Sequence, residues 1–425
     1  MKQGKKVVIN KTPIFVLLLV VISFSIYANS IYGVFFFDDD ISITKNEAIK
    51  KLWPLWKFFE WEPNKPTSGR PFFTITLAIN YFIGKLNPLG YHVVNILIHT
   101  ICGLLLFFVL KQTLKQKTIP KKIQVQSENL AFISSLIWLV HPLQTECVNY
   151  ITQRNASLAA LFYLASIYCS IRAYSCDKFC KWYIFSILFC VSGIFAKETV
   201  ITLPLIIVLY DYTFFYKSIK QMLCKRKYFY LGLFASWIIF AVIMLTKPHS
   251  GTIGTHLNIS SWEYLVSQSF ILTKYLKLLF LPYPLNIDYG AAFKPVFIEY
   301  LPNFLFISFL VISSIFIYFK SKIVGFACLC FFIILGPTSS FIPLVNQVGA
   351  ERRMYLPSMA IIALLTILAY NICDYLKRKG YSKKGIQYGI IVVLAFVFIS
   401  LGELTILRNS DYHSPIRIWK SAIIS

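Results

Sequence analysis

Three adjacent carboxylates, Asp38, Asp39 and Asp40, follow three aromatic residues in the stretch FFFDDDISI. They are conspicuous because the chain of 425 residues carries only 18 acids. Carboxylates this close repel, so the group titrates as a coupled unit and one member takes a raised pKa unless a cation lies near. Such a group suits a general base that removes a proton from a hydroxyl. It could equally hold a hard divalent cation, Mg2+ or Mn2+, through its oxygens. The competing reading is a solvated acidic turn that ends a hydrophobic segment and sets its orientation.

Candidate partners for these acids are cationic. Arg70 in GRPF, Arg154 in QRN, Lys197 beside Glu198 in AKET, and Arg352 with Arg353 in ERRMYLP each stand at the edge of an apolar run. A guanidinium binds phosphate as a bidentate fork and an ammonium binds it as a point charge. Opposed to the acids, the set suits a phosphate leaving group and a neutral hydroxyl nucleophile. Taken singly, each Arg could instead snorkel to lipid headgroups. His92 and His99 lie seven apart in GYHVVNILIHT with Asn95 between them, so they share one helix face. His92 is placed to reach the site, whereas His99 lies deeper and suits a hydrogen bond between helices. His141 and Glu146 fall in the joint HPLQTECVNYITQRN, where a proline ends or kinks the helix. No spacing of these residues reads as a zinc site. The ten cysteines include no CxxC pair, and Cys176 and Cys180 read as reduced, small apolar fillers.

The elements that must position these groups are membrane helices. The chain is 57% hydrophobic and 17% aromatic, with 14% charged residues. That excludes an ordinary soluble domain, which has about a quarter charged. Apolar runs predict about eleven spans, near 12–31, 91–110, 129–148, 155–173, 182–196, 199–216, 228–246, 300–319, 322–344, 355–374 and 386–404. The first is read as a retained helix rather than a cleaved signal, because it is long for one and lacks a small-x-small cleavage site. Alternate loops hold Lys2, Lys5, Lys6 and Lys11, then KQTLKQKTIPKK, then Arg172, Lys178 and Lys181, then KSIKQMLCKRK, Lys320 with Lys322, and KRKGYSKK. That face carries more than half of the 42 basic residues and only about four acids, Glu128, Asp177, Asp211 and Asp374. Positive-inside counting makes that face cytoplasmic, with the N-terminus, and puts Asp38–Asp40 on the outer face. The net charge of +24 is therefore explained by topology and anionic lipid, and nucleic acid is not expected as a partner. The first outer loop (32–90) and the third (247–299) carry apolar, aromatic stretches expected to lie along the membrane surface or re-enter it. No internal repeat is visible.

In order, FDDDISI, RPFFTITLAINYFIG with NPLGYHVVNILIHT, HPLQTECVNYITQRNASLAALFYLASI, AKETVITLPLIIVLYD and ERRMYLP resemble the membrane domain of the transmembrane and TPR-containing O-mannosyltransferases and their bacterial relatives. These belong to the GT-C superfamily of polyprenyl-phosphate-sugar-dependent glycosyltransferases. The resemblance covers nearly the whole chain and implies an all-α polytopic membrane enzyme of GT-C type. It implies transfer of a sugar, with inversion, from a polyprenyl-phosphate-linked donor to an acceptor hydroxyl on a protein or a surface glycan. The site would face the outer side of a bacterial inner membrane. It carries the catalytic acidic pair to Asp38 and Asp39, with Asp38 the first choice of base and Asp39 the second. Its E-x-R-x-Y-L-P pattern falls on Glu351, Arg353, Tyr355 and Pro357, and its outer-loop Arg-Pro on Arg70 and Pro71. The expected donor-phosphate and substrate contacts are thus Arg70, His92, His141, Glu146, Arg154, Lys197, Glu198, Glu351, Arg353 and Tyr355. By resemblance no metal is required, against the oxygen-ligand reading of Asp38, Asp39 and Asp40. Residues 1–404 are expected to form the catalytic membrane domain and 405–425 a short outer tail. Relatives continue from that tail into TPR repeats, so the acceptor is expected either to be recognised by a separate subunit or not to be a protein. A transporter would instead place ionisable groups at mid-membrane in inverted repeats, and a scaffold would tolerate loss of the aspartates.

Overall fold

The computed structural model describes residues 10–60, 65–176, 180–246, 259–290, 296–340, 343 and 347–424. Lys2, Lys5, Lys6, Asp177 and Lys178, with parts of KLWPLWKFFEWEP, of loop 247–299 and of PLVNQVGA, lie outside the described residues. Among the described residues the regular structure is helical, with no strand. Helix α1 (Thr12–Ile26) leads into the acidic loop. Helices α2 (Pro71–Gly84) and α3 (Pro88–Leu114) follow it. Each opens on a proline, whose missing N–H has no intrahelical partner to lose at that position. Next come α4 (Lys121–Val125), α5 (Ser127–Leu139), α6 (Thr145–Asn149), α7 (Arg154–Tyr174), α8 (Lys181–Ile194), α9 (Leu203–Phe214) and α10 (Ile219–Thr246). The rest of the chain forms α11 (Ser261–Phe280), α12 (Phe297–Lys320), α13 (Lys322–Leu335), α14 (Pro357–Arg378), α15 (Lys383–Asp411) and α16 (Pro415–Ile424).

Seven stretches are helical, long and apolar enough to cross a membrane: Thr12–Tyr32, Pro88–Leu114, Ile151–Tyr174, Ile219–Leu245, Ile298–Lys320, Pro357–Arg378 and Lys383–Asp411. The chain is a multi-pass all-α membrane protein. Four further expected spans also coincide with helices, but α5, α8, α9 and α13 have only 13, 14, 12 and 14 residues. At about 1.5 Å per residue these reach roughly 20 Å, short of the roughly 30 Å hydrocarbon core. Hydropathy continues past their ends but the backbone does not. Pro142 opens a 3-10 turn after α5, a 3-10 turn over Glu198–Thr202 separates α8 from α9, and α13 stops ahead of Gly336 and Pro337. The expected surface segment near 261–280 is α11, a 20-residue helix opened by a Ser260–Glu263 capping box.

The short helices therefore hand over to irregular segments at 140–153, 195–202 and 336–356, and these carry most of the charged residues of interest. Irregular backbone is stable inside a membrane protein only where the protein itself satisfies it. Here that holds: every residue from Trp138 to Ala160 is buried. The residues expected as a separate tail are instead part of α15 and α16, and the boundary expected at 404 falls inside α15. The Val34 N–H donates to the Tyr412 carbonyl (3.3 Å). The Asn409 amide bonds the Ile26 carbonyl (3.0 Å) and the Asn29 side chain (2.9 Å). Tyr412 and Ile418 pack with Phe36, Tyr150 and Ile287 in one buried cluster. The last two helices are thus fastened to the first loop.

Candidate active site

The acidic block is held in an unusual turn. Gly33 sits where a Cβ would come within 2.6 Å of the His92 ring, so only glycine fits that approach. Phe37 has φ +53, a left-handed conformation that costs a bulky residue about 1–3 kcal/mol. Past it, the three carboxylates diverge. Asp39 is fully buried: its Oδ1 accepts from the Thr152 N–H (2.7 Å) and hydroxyl (2.6 Å), and its Oδ2 accepts weakly from the Phe36 N–H (3.4 Å). Burial pushes its pKa up to about 7, against the pull of the Thr152 and Phe36 bonds and with a small push from Asp38. Asp40 is exposed and accepts from its own Thr44 hydroxyl (3.2 Å). Asp38 is half-buried, its N–H donates to the Tyr150 hydroxyl (3.0 Å), and no described residue hydrogen-bonds its carboxylate. No three His, Cys, Asp or Glu converge as a ligand set among the described residues.

Arg352 is a cationic group whose charge feels both Asp38 and Tyr150, as that of Arg154 feels Asp39. Glu146, fully buried, grips Arg352: Oε1 takes an Nη1–H (2.5 Å) and Oε2 takes the Arg352 main-chain N–H (2.7 Å). The second fork of Arg352 bonds the Gln347 side chain. Burial opposes the charge, but Glu146 outweighs it and holds Arg352 protonated. Beside it a cleft is lined by Lys197, Thr199, Thr338, Arg352 and Arg353, floored by Ala156 and Ala159 of α7. Burial, then the charges of Arg352 and Arg70, push the Lys197 pKa down to about 7, only partly offset by Cys147 and Glu198. No described side chain hydrogen-bonds its ammonium. Arg353 reaches the same cleft, but its guanidinium holds the carbonyls of Thr338 (3.0 Å), Val348 (3.1 Å) and Gln347 (2.8 Å) and so shapes the loop. Arg70 and Glu198 form a forked pair at 3.0–3.1 Å at the rim.

The other candidates are buried, and most of them bond other parts of the protein. Arg154 donates to the side chains of Asn95 (2.6 Å) and Asn80 (2.7 Å) and to the Tyr91 carbonyl (2.9 Å), with longer bonds to Thr76. Each of the three guanidinium nitrogens is thus engaged inside the protein. The His99 Nε2–H donates to the Leu139 carbonyl (3.1 Å) and its Nδ1 bonds the Tyr355 hydroxyl (2.8 Å), tying Tyr355 into the bundle. His141 caps the 3-10 turn at Leu143 and bonds the Leu279 carbonyl (3.1 Å). His92 is buried behind Gly33 with neither ring nitrogen in a hydrogen bond of normal geometry among the described residues. Glu351 is buried, accepts from the Asn286 N–H (2.5 Å) and the Tyr289 hydroxyl (3.0 Å), and keeps one oxygen unpartnered. Burial pushes its pKa up to about 7, with Arg408 opposing and Glu146 adding to the rise. Two residues that matter here were outside the expected site contacts. Arg352 differs from the pattern-matched Arg353 by one position of a 3-10 turn, and Tyr150 is one of 26 tyrosines with nothing local to single it out.

The whole chain aligns with a protein O-mannosyl-transferase of Mus musculus at 24% identity, over 48% of that protein. A Homo sapiens protein O-mannosyl-transferase matches 93% of the chain at 25% identity, over 60% of its own length. A Caenorhabditis elegans protein O-mannosyl-transferase matches more strongly over less, 33% identity across 45% of the chain and 27% of the relative. Its relatives are protein O-mannosyl-transferases. The chain spans between about a quarter and three fifths of the length of these relatives. No family model matches it. Among solved structures, ArnT from Cupriavidus metallidurans bound to undecaprenyl phosphate aligns with 97% of the chain and 77% of its own, with TM-score 0.43 and 11% identity, a likeness too loose to carry structural detail across.

Proposed function

We propose that the chain is a membrane glycosyltransferase that moves a sugar from a polyprenyl-phosphate-linked donor to an acceptor hydroxyl, with Asp38 as general base. One observation carries the reading: Asp38 alone of the three aspartates keeps an unengaged, half-exposed carboxylate, and its charge acts on Arg352, which lines a cleft together with Lys197. The relatives' names make mannose the first sugar to try. In this mechanism the Asp38 carboxylate takes the acceptor's hydroxyl proton as that oxygen attacks the anomeric carbon. The bond from that carbon to the phosphate oxygen breaks on the opposite side, its electron pair leaves with the lipid phosphate, and the sugar inverts. Charge grows on the phosphate as the bond breaks, so Lys197 and Arg352 act where it develops. Positive-inside counting supports a site on the outer face of a bacterial inner membrane, and the acceptor is a protein or glycan hydroxyl.

The test uses membranes containing the full chain and radiolabelled polyprenyl-phosphate mannose, followed by other polyprenyl-phosphate hexoses, with label counted in macromolecular material. Loss of a general base costs about 10²–10⁴-fold. Asp38→Asn is expected to fall by that factor. Transfer at the wild-type rate by Asp38→Asn, or none by the wild type from any donor, would sink the proposal.

A further inference from the structure

We infer that Tyr150 is a positioning residue for Asp38, acting through the Asp38 main-chain amide; this rests on the reading of Asp38 as base. The argument begins with the backbone. Asp39 and Asp40 return their N–H groups to the carbonyls of Phe36 (3.0 Å) and Phe37 (3.2 Å), as a local turn does. Asp38 cannot, because left-handed Phe37 turns its amide away from the preceding carbonyls. That amide finds its partner in another segment, the Tyr150 hydroxyl at 3.0 Å.

The phenol is itself fixed. Tyr150 is 1% exposed, and its ring lies 4.6 Å from that of Phe36 and 6.3 Å from that of Phe37. Two residues along, Thr152 supplies both donors that hold Asp39. Residues 150 and 152 therefore hold residues 38 and 39 at three points. Without them the strained Phe37 would relax, and the Asp38 carboxylate would swing with it. Strained backbone persists only when its surroundings over-determine it, and here a single hydroxyl completes that set. The hydroxyl oxygen is occupied as an acceptor, which leaves Tyr150 holding the main chain of the base while the carboxylate stays unengaged for the acceptor hydroxyl.

Tyr150→Phe keeps the ring packing and removes only the oxygen. A misplacement of about 1 Å can cost about 10²-fold, so kcat is expected to fall 10- to 100-fold, with the donor KM within about twofold. The acid limb of the pH–rate profile should also move, because the carboxylate's distance to Arg352 changes. A role in packing alone would lower the yield of folded protein and leave the limb in place. The second arm is a double-mutant cycle with Phe37→Gly, which removes the left-handed strain. If Tyr150 acts through that turn, the double variant is no slower than the slower single variant. Multiplicative losses in the cycle, an unmoved limb, or wild-type kcat in Tyr150→Phe would each overturn the inference. So would a Tyr150→Phe that fails to fold while Phe37→Gly folds with wild-type kcat. Wild-type kcat in Tyr150→Phe with inactive Asp38→Asn overturns this inference alone, whereas full activity in Asp38→Asn overturns the underlying reading.

Discussion

Replacing Asp39 separates a base from a latch. Its Oδ1 holds two strong donors of Thr152, while Oδ2 takes one long bond from Phe36. Asparagine can keep its single carbonyl oxygen on Thr152 and sacrifice the 3.4 Å bond, at a cost of about 1 kcal/mol. Alanine strands the buried Thr152 amide and hydroxyl, at about 2–5 kcal/mol. For a chain this long about 1 kcal/mol moves Tm by about 2 °C. Asp39→Asn should therefore lose about 2 °C and Asp39→Ala about 4–10 °C in detergent. Transfer by Asp39→Asn should stay within about tenfold of wild type, against the far larger loss in Asp38→Asn. The pH dependence gives a second reading. Because the folded pKa of Asp39 is raised to about 7 from 3.8, the fold favours its neutral acid. Its contribution is complete below pH 3.8 and is lost as pH rises through about 7. Wild-type Tm should thus fall between pH 4 and 8, and more gently in Asp39→Asn, with Glu351 supplying the slope that remains. The assay is thermal unfolding across pH alongside transfer by the same preparations. The reasoning is refuted if Asp39→Asn is as inactive as Asp38→Asn while its Tm and pH slope match wild type.

Substitutions at two other positions probe the cationic side. With the Lys197 pKa pushed down to about 7, kcat/KM for the donor should decline as pH rises through that value and the ammonium is lost; Lys197→Arg should remove this limb, and Lys197→Met should raise the donor KM. Arg154→Lys cannot span Asn80, Asn95 and the Tyr91 carbonyl at once, and as a broken buried network it should lower stability by about 3–5 kcal/mol, seen as Tm loss without a shifted pH–rate profile.

The positions of the helices follow from apolar runs, which is why each expected span coincides with one. Their lengths do not, because hydropathy records what a segment dissolves in and not where Pro142 or the 3-10 turn at Glu198 interrupts it. The acidic block is visible as composition, but its division of labour is tertiary: Thr152 and Tyr150 decide which aspartate is buried and which is left open. Arg154 reads as a phosphate ligand because charge is visible in sequence, whereas the two asparagines that consume its fork lie far from it along the chain. The same limit separates Arg352 from Arg353. In a 3-10 turn consecutive side chains point about 120° apart, so one meets Glu146 and the other the loop carbonyls.

The fastening of α15 and α16 to the first loop bears on when this molecule becomes competent during its synthesis. The acidic turn is made long before its neighbours Tyr412 and Ile418, which lie far downstream in the chain. Asn409, which ties Ile26 and Asn29, arrives only with the end of α15. A nascent chain that has made α1 to α14 therefore holds the acidic turn without the clasp over it. Order in the acidic turn therefore waits on helices made far downstream of it, and the turn sets only once α15 and α16 have joined the bundle.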